Sequence, residues 1–363
     1  MPTNRSPRPF LHSDALTFLA VGGAAVIVPL SLSMYVRMGA TWSMTGPLAT
    51  FLWLFLVLPH YTSSYQLLYW DRRDEILRSP SLFFAGVLVP LAVAVLLMIA
   101  FIGSSLPTLA ALLHALFLLS GWHYAKQAYG ATLALSAANR SPLSQTEKDA
   151  LRVNLLTLAA VIFIMPNTRG DLFAYEYLTY HPLGLPLWFA ALSLVALGAT
   201  AIRLALAFAP RWKDGRGLSW TAAASFLSIY AWGLPLILFP NVFHAFRDVP
   251  FVAALHSLQY LVFVLALRLS REPESPKAAA PWLTVGLSLL AVVFAGDLLA
   301  RVLPNWLDRV MVYDRAALGA GFFFSASTLF VNIHHFFIDS VVWRGDNQEF
   351  KELVAARAVG ETA

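Results

Sequence analysis

Residues 81–103 read SLFFAGVLVPLAVAVLLMIAFIG, an apolar run without a charged side chain. A helix of about 20 apolar residues crosses the hydrocarbon core of a bilayer. Of the 363 residues, 58% are hydrophobic and 12% are charged, whereas a soluble globular protein has about 25% charged residues. We therefore predict an all-α fold, a polytopic bundle of membrane-spanning helices.

Similar runs on both sides of this stretch predict about ten transmembrane helices. They cover residues 15–36, 47–69, 81–103, 107–137, 151–168, 182–207, 218–243, 250–269, 281–303 and 316–342. Proline opens several of them, at a position where its missing N–H costs no helical hydrogen bond. The predicted transmembrane domain extends over residues 1–344, and residues 345–363 form a short cytoplasmic tail.

The basic residues alternate between the two sides of this map. The N-terminus, the even-numbered connections and the C-terminal tail, with the adjoining helix ends, carry 18 of the 25 Lys and Arg residues, and the other connections carry six. Because cytoplasmic loops are enriched in Lys and Arg, both termini are predicted to lie in the cytoplasm, with the protein in a bacterial inner membrane. The formal charge of +5 is dispersed over these loops, which favours contact with membrane lipid over nucleic acid.

Several chemistries are excluded by residue types that the chain lacks. It contains no cysteine, which rules out disulfides, thiolate metal sites and cysteine nucleophiles. The sequence also has no Walker loop, no GxGxxG after a strand, no HExxH and no GxSxG. Hydrolase and nucleotide-driven functions therefore have little support.

Histidines inside the apolar runs are the main functional signal. Of nine histidines, seven lie in these runs or at their edges. Polar groups in a membrane are costly and tend to face the interior of a bundle. The candidate metal ligands are His60, His123, His256, His334, His335 and Asp339. His114 and His244 are second-tier candidates, because nine residues of straight helix place His114 about 13 Å from His123 and on the opposite face.

Further polar side chains accompany these histidines at helical spacing, where residues three or four apart share a face. The groups are His123 with Lys126 and Gln127, His256 with Gln259 and Tyr260, and His335 with Asp339. The last pair has the spacing of a carboxylate that orients an imidazole ligand or binds beside it. Lys126 and Tyr260 are the candidate catalytic residues. For Lys126 the alternative is a side chain that extends to the membrane interface, and for any single histidine it is a plain interhelical hydrogen bond.

The donor set indicates a metal site, since imidazole binds iron, copper and zinc. Its segments include HSLQY (256–260) and NIHHFFID (332–339). In these segments the chain resembles the histidine-rich integral-membrane non-haem iron oxygenases and desaturases, including the carotene-cleaving (Brp/Blh-type) enzymes, although the HxxxH and HxxHH boxes of the desaturases are absent. The resemblance implies an oxidoreductase with one or two iron ions, a lipophilic substrate and an electron donor.

Two other functions compete with an enzyme. A haem-binding electron carrier would use His123 with His256 or His335 as axial ligands, but the chain lacks the paired spacing of about thirteen residues on one helix. A proton-coupled transporter would use the histidines as a relay; transporters of this kind have internal repeats and broken helices. No repeat is found, while Pro235 and Pro240 are compatible with one broken helix.

Overall fold

Helices dominate the computed structural model, which describes residues 13–28, 50–170, 172–238, 251–271, 280–344 and 347–359. The helices are α1 (Asp14–Val28), α2 (Leu58–Tyr69), α3 (Pro80–Ile102), α4 (Leu106–Ala138), α5 (Gln145–Arg169), α6 (Leu187–Lys213), α7 (Trp220–Leu238), α8 (Phe251–Arg271), α9 (Ala280–Asp297), α10 (Leu303–Val310), α11 (Arg315–Leu318), α12 (Phe322–Val342) and α13 (Gln348–Val359). π-Helical turns occur at Leu19–Gly23, Trp53–Val57, Phe84–Leu88 and Leu298–Val302.

Seven helical segments are long and apolar enough to cross a membrane. They are α3 to α8 and the continuous stretch Gly286–Val310, and they coincide with the third to ninth predicted spans. The chain is therefore a helical, multi-pass membrane protein. The total of ten spans and the orientation stay predictions. Residues 29–49, which include the end of the first predicted span and the start of the second, lie outside the described residues.

Helices α2 and α12 overlap predicted spans but fall outside this apolar set. Both are rich in buried polar side chains. Helix α2 contains His60 and Ser64, and α12 contains Asn332, His335 and Asp339. The residues that lower their hydropathy are the same residues that build the candidate site.

Helix α12 occupies the centre of the bundle. It packs against α2, α3, α4 and α10, and Leu329, Ile333 and Phe336 are buried in the largest aromatic part of the core. Helix α6 is different, because most of its side chains in the spanning part are exposed, and Ser193 and Leu197 are the buried exceptions there. The position of α12 brings its polar face against α2 and α4.

The ends of α5 are fixed by its sequence. Ser144 and Glu147 form a capping box, in which each side chain accepts a hydrogen bond from the other residue's backbone N–H. Glu147 also binds Arg211 at the end of α6, with 2.6 Å between Oε1 and Nε. Gly170 ends α5 in the left-handed conformation at φ 80°, which glycine adopts without steric cost.

A short hairpin, absent from the predicted map, connects α5 to α6. Its strands are β1 (Phe173–Tyr175) and β2 (Leu178–Tyr180), paired antiparallel with Phe173 opposite Tyr180. The buried Tyr180 donates a hydrogen bond to Asn167 Oδ1 at 2.8 Å and packs on the ring of Phe117 in α4. The hairpin thereby packs against α4 and α5 at one end of the bundle.

Helix α13 lies in the predicted tail and packs against the bundle. The ring of Phe350 contacts those of Phe263 in α8 and Trp343, with centroids 5.9 and 5.3 Å apart. Leu353 is buried in the same apolar cluster. Helix α13 thus covers the end of the bundle where α4, α8 and α12 terminate.

Candidate metal centre

Four side chains from three helices form the candidate metal centre. They are His60 of α2, His123 of α4, and His335 and Asp339 of α12. Each offers one ligand atom, and these atoms all lie within 4.8 Å of one another. Their exposed fractions are 1%, 3%, 1% and 7% respectively, so the group is enclosed by protein.

Local helix geometry explains half of this arrangement. His335 and Asp339 are one turn apart on α12 and therefore project from the same face. The other half depends on packing, because α12 contacts both α2 and α4. The ring centroids of His60 and His123 lie 5.2 and 5.0 Å from that of His335.

Asp339 is the acidic member of the cluster. Its Oδ2 lies 3.1 Å from His60 Nε2 and 3.8 Å from His123 Nε2. Its Oδ1 accepts a hydrogen bond from Ser64 Oγ at 2.5 Å. The carboxylate thus has one oxygen held by a hydroxyl and the other directed at two imidazoles.

His256 of α8 adds a further imidazole to the group. Its Nε2 lies 2.9 Å from His123 Nε2, and its ring centroid lies 5.1 Å from that of His60. Gln127 holds the backbone of His256, since its Nε2 donates to the His256 carbonyl oxygen at 2.8 Å and to Gln259 Oε1 at 3.0 Å. The centre therefore gathers ring nitrogens and a carboxylate from four helices.

For His335 and His60, hydrogen bonds to residues outside the cluster engage Nδ1 and leave Nε2 as the nitrogen that could bind a metal. His335 Nδ1 lies 3.2 Å from the Val331 carbonyl oxygen, which only accepts, so Nδ1 carries the proton and Nε2 keeps its lone pair. His60 Nδ1 lies 3.0 Å from Ser257 Oγ. Such partners orient metal-binding imidazoles in many proteins.

The spacing of the donor atoms fits a single ion. Ligands about 2.1 Å from one ion lie about 3.0 Å apart in cis positions and about 4.2 Å apart in trans positions. The separations of 3.1 and 3.8 Å between Asp339 Oδ2 and the two imidazole nitrogens fall in this range. The outer limit of 4.8 Å exceeds the trans distance by about 0.6 Å, so binding of one ion would draw the most distant donors together by that amount.

The predicted catalytic residues lie beside the cluster. The ring of Tyr260 stacks on that of His60 with 4.1 Å between centroids, and Tyr260 Oη lies 2.9 Å from Ser64 Oγ. Because the Ser64 proton is directed at Asp339, Tyr260 donates to Ser64. Lys126 is exposed, and its Nζ lies 4.5 Å from the ring centroid of Trp122.

The other predicted histidines lie apart from the cluster or outside the described residues. The ring nitrogens of His334 have Tyr65 Oη at 2.9 Å and the Ala85 carbonyl oxygen at 3.1 Å. Those of His114 have the carbonyl oxygens of Ala110 and His181 at 2.7 and 2.9 Å. His244 lies in residues 239–250, which the structure does not describe.

An apolar cavity of about 910 Å³ reaches the cluster at His123 and Asp339. It is lined by the second half of α4, the start of α5, the middle of α8, the end of α12, and α13. Small-molecule sites have volumes of about 300–1,000 Å³ and mostly apolar walls. The cavity therefore has the size and lining of a site for a lipophilic molecule.

Some residues of the site were not predicted. Ser257 carries no sequence signal, because its role depends on the contact of α8 with α2. Asn332 accepts a hydrogen bond from Tyr61 Oη at 2.7 Å and lies three residues before His335, a spacing that places it on the same helix face.

No family model, no curated protein and no solved structure matches the chain.

Proposed function

We propose that this chain is a membrane-embedded, metal-dependent oxidoreductase that uses non-haem iron to oxidise a lipophilic substrate. The ligands are His60, His123, His335 and Asp339, with His256 in reach of the same ion. The proposal places the protein in a bacterial inner membrane, with both termini in the cytoplasm. One observation carries it, namely a buried carboxylate faced by imidazoles from two other helices.

The charge of the cluster supports a cation. A buried carboxylate is costly unless a positive charge lies beside it. Within the described part of the chain, the nitrogens recorded as ion-pair partners of Asp339 are His60 Nε2 and His123 Nε2. A divalent cation between these atoms would supply the positive charge that the carboxylate needs. It would also replace the direct contacts between Asp339 and the imidazoles, which without a metal require a proton on the ring nitrogen.

The ligand types favour iron. A site of imidazoles and one carboxylate with open positions is typical of non-haem Fe(II) oxygenases, whereas thiolates typical of many zinc, copper(I) and iron–sulfur sites are absent from this chain. Close packing of four imidazoles favours a bare ion over haem, because a porphyrin between two of the rings would overlap the others.

The reaction class that fits the site is oxidation of a C–H bond by O₂. In a hydroxylation, one oxygen atom enters the C–H bond, and the other leaves as water after an external donor supplies two electrons and two protons. The apolar cavity holds the substrate against His123 and Asp339. The hydrogen-bonded series Tyr260–Ser64–Asp339 and Lys126 at the cavity wall are the groups placed to move protons.

Metal analysis with a visible spectrum tests this function. We expect detergent-purified protein to contain about one equivalent of iron and no Soret band. His123→Ala removes a ligand and should lose the iron, whereas His114→Ala, on the same helix but outside the cluster, should keep it. Size-exclusion chromatography checks that both variants are folded.

Each other outcome contradicts the proposal. A Soret band that His123→Ala removes would identify a haem carrier. Substrate flux in proteoliposomes by freshly prepared protein that contains no metal would identify a transporter. Equal iron in folded wild type and His123→Ala would place the metal elsewhere.

A further inference from the structure

The cavity beside the cluster has two chemically different parts. Its deep wall is aromatic, formed by Trp122, Phe263, Phe336 and Trp343, and leads to His123 and Asp339. Four cationic side chains also line it, namely Lys126, Lys148, Arg344 and Lys351. Among the described residues, the single acidic side chain in this lining is Asp339, which belongs to the metal cluster.

The cations come from separate elements that meet at one end of the bundle. Lys148 lies in the first turn of α5, Arg344 follows the end of α12, and Lys351 lies in the first turn of α13. Lys126 lies one helical turn beyond His123 on α4. This end is the one that the distribution of Lys and Arg predicts to face the cytoplasm.

The lysines have no acidic partner in the described parts of the protein. Lys148 is half-buried, and Lys126 and Lys351 are exposed. Within the described residues, none of these three lysines forms an ion pair with a carboxylate. Other cations near the same end are paired, since Arg211 binds the buried Glu147. The positive charge of these three lysines is thus available to a ligand.

We propose that the cavity binds a single-chain amphiphile with an anionic carboxylate or phosphate headgroup. The headgroup lies at Lys148 and Lys351, and the apolar chain extends along the aromatic wall to His123 and Asp339. This inference rests on the proposed oxidation of a lipophilic substrate and names its chemical class.

The arrangement also sets which part of the ligand reacts. Lys148 and Lys351 lie on α5 and α13, two helices that carry none of the cluster residues. A headgroup held at these two lysines therefore leaves a carbon of the chain, rather than the headgroup, beside the metal. Oxidation at a fixed distance from the headgroup follows from this geometry.

Binding of three probes of equal chain length tests the proposal. The probes are palmitate, hexadecyl phosphate and hexadecanol, added to the full chain in neutral detergent at low ionic strength. We expect both anions to bind at least about ten-fold more tightly than the alcohol, as several charge-assisted contacts imply. We expect 0.5 M NaCl to reduce this preference, because salt screens exposed charges.

The variant Lys148→Gln/Lys351→Gln should lose the preference and still bind hexadecanol. The control is Lys213→Gln, which removes an exposed lysine outside the cavity and should keep the preference. Equal wild-type binding of the three probes would overturn the inference. So would full competition by acetate or inorganic phosphate alone, or a preference that persists in the double variant. If the double variant does not fold, the wild-type selectivity and its salt dependence decide.

Iron content separates this inference from the proposed function. The double variant leaves all cluster residues in place, so its iron should equal that of wild type. Iron without selectivity for the anions contradicts the headgroup inference alone. Selectivity for the anions without iron contradicts the oxidoreductase and shows a binding site for an anionic amphiphile.

Discussion

Two adjacent histidines on α12 face opposite environments. His335 points at His60 and His123, with ring centroids about 5 Å away, and its Nε2 is directed at the cluster. His334 points at α2 and α3. There its Nδ1 is hydrogen-bonded to Tyr65 Oη and its Nε2 to the Ala85 carbonyl oxygen. Both histidines are 1% exposed, so burial does not distinguish them.

The two histidines differ in whether a ring nitrogen keeps a lone pair that is free to bind a metal ion. The carbonyl of Ala85 only accepts, so His334 Nε2 carries the proton and Nδ1 accepts from Tyr65. A neutral imidazole with both nitrogens engaged has no lone pair for a metal ion. His335 uses only Nδ1 in its bond to Val331. A helical rotation of about 100° between neighbours thus separates a ligand from a histidine that joins helices.

Removal of a ligand on the cluster side should have the largest effect. We expect Asp339→Asn and His335→Ala each to lower bound iron at least about ten-fold. Asp339→Asn keeps the shape of the side chain and removes the negative charge, and His335→Ala removes an imidazole. The measurement is iron per protein by elemental analysis after purification without chelators.

His334→Gln is the matched control for both variants. It alters the neighbouring residue on the same helix and keeps hydrogen-bonding groups toward Tyr65. Iron should stay near the wild-type amount. Loss of iron in folded His334→Gln equal to that in His335→Ala would remove the distinction between the two faces of α12.

Removal of an outer hydrogen bond to the carboxylate should have a smaller effect. Ser64 donates to Asp339 Oδ1 at 2.5 Å, and outer partners of metal ligands contribute about 10–100-fold to affinity. We expect Ser64→Ala to bind iron that a competing chelator removes at correspondingly lower concentration. Ser120→Ala is the control, since that hydroxyl bonds only the Leu116 carbonyl of its own helix. Equal chelator sensitivity of the two variants would contradict a role for Ser64.

Local pattern made part of this structure predictable. Long apolar runs identify α3 to α8, and spacing along one helix identifies the face shared by His335 and Asp339. The contact of His60 with Asp339 joins residues 279 positions apart. Such a contact depends on how helices pack, which no periodicity within one segment contains. Because Ser257 and the cavity also depend on helix packing, neither could be predicted from the sequence.

The sequence also placed His334 and His335 in one set of ligands. Residue type and depth are the same for both, and only the partners from α2 and α3 distinguish them. The hairpin Phe173–Tyr180 was missed because its strands have three residues each, too few for a period-two pattern to be recognised.

The smallest effect on the metal is expected on the opposite face of α12. Tyr65→Phe removes the hydroxyl that donates to His334 Nδ1, and it leaves a buried acceptor without that bond. Such a loss costs about 1–3 kcal/mol in stability, while the cluster keeps every ligand. We therefore expect a lower temperature of thermal unfolding in detergent with unchanged iron. Tyr177→Phe, at an exposed position of the hairpin, should change neither quantity. If Tyr65→Phe lost iron without losing stability, His334 would act on the metal, and both faces of α12 would belong to one functional site.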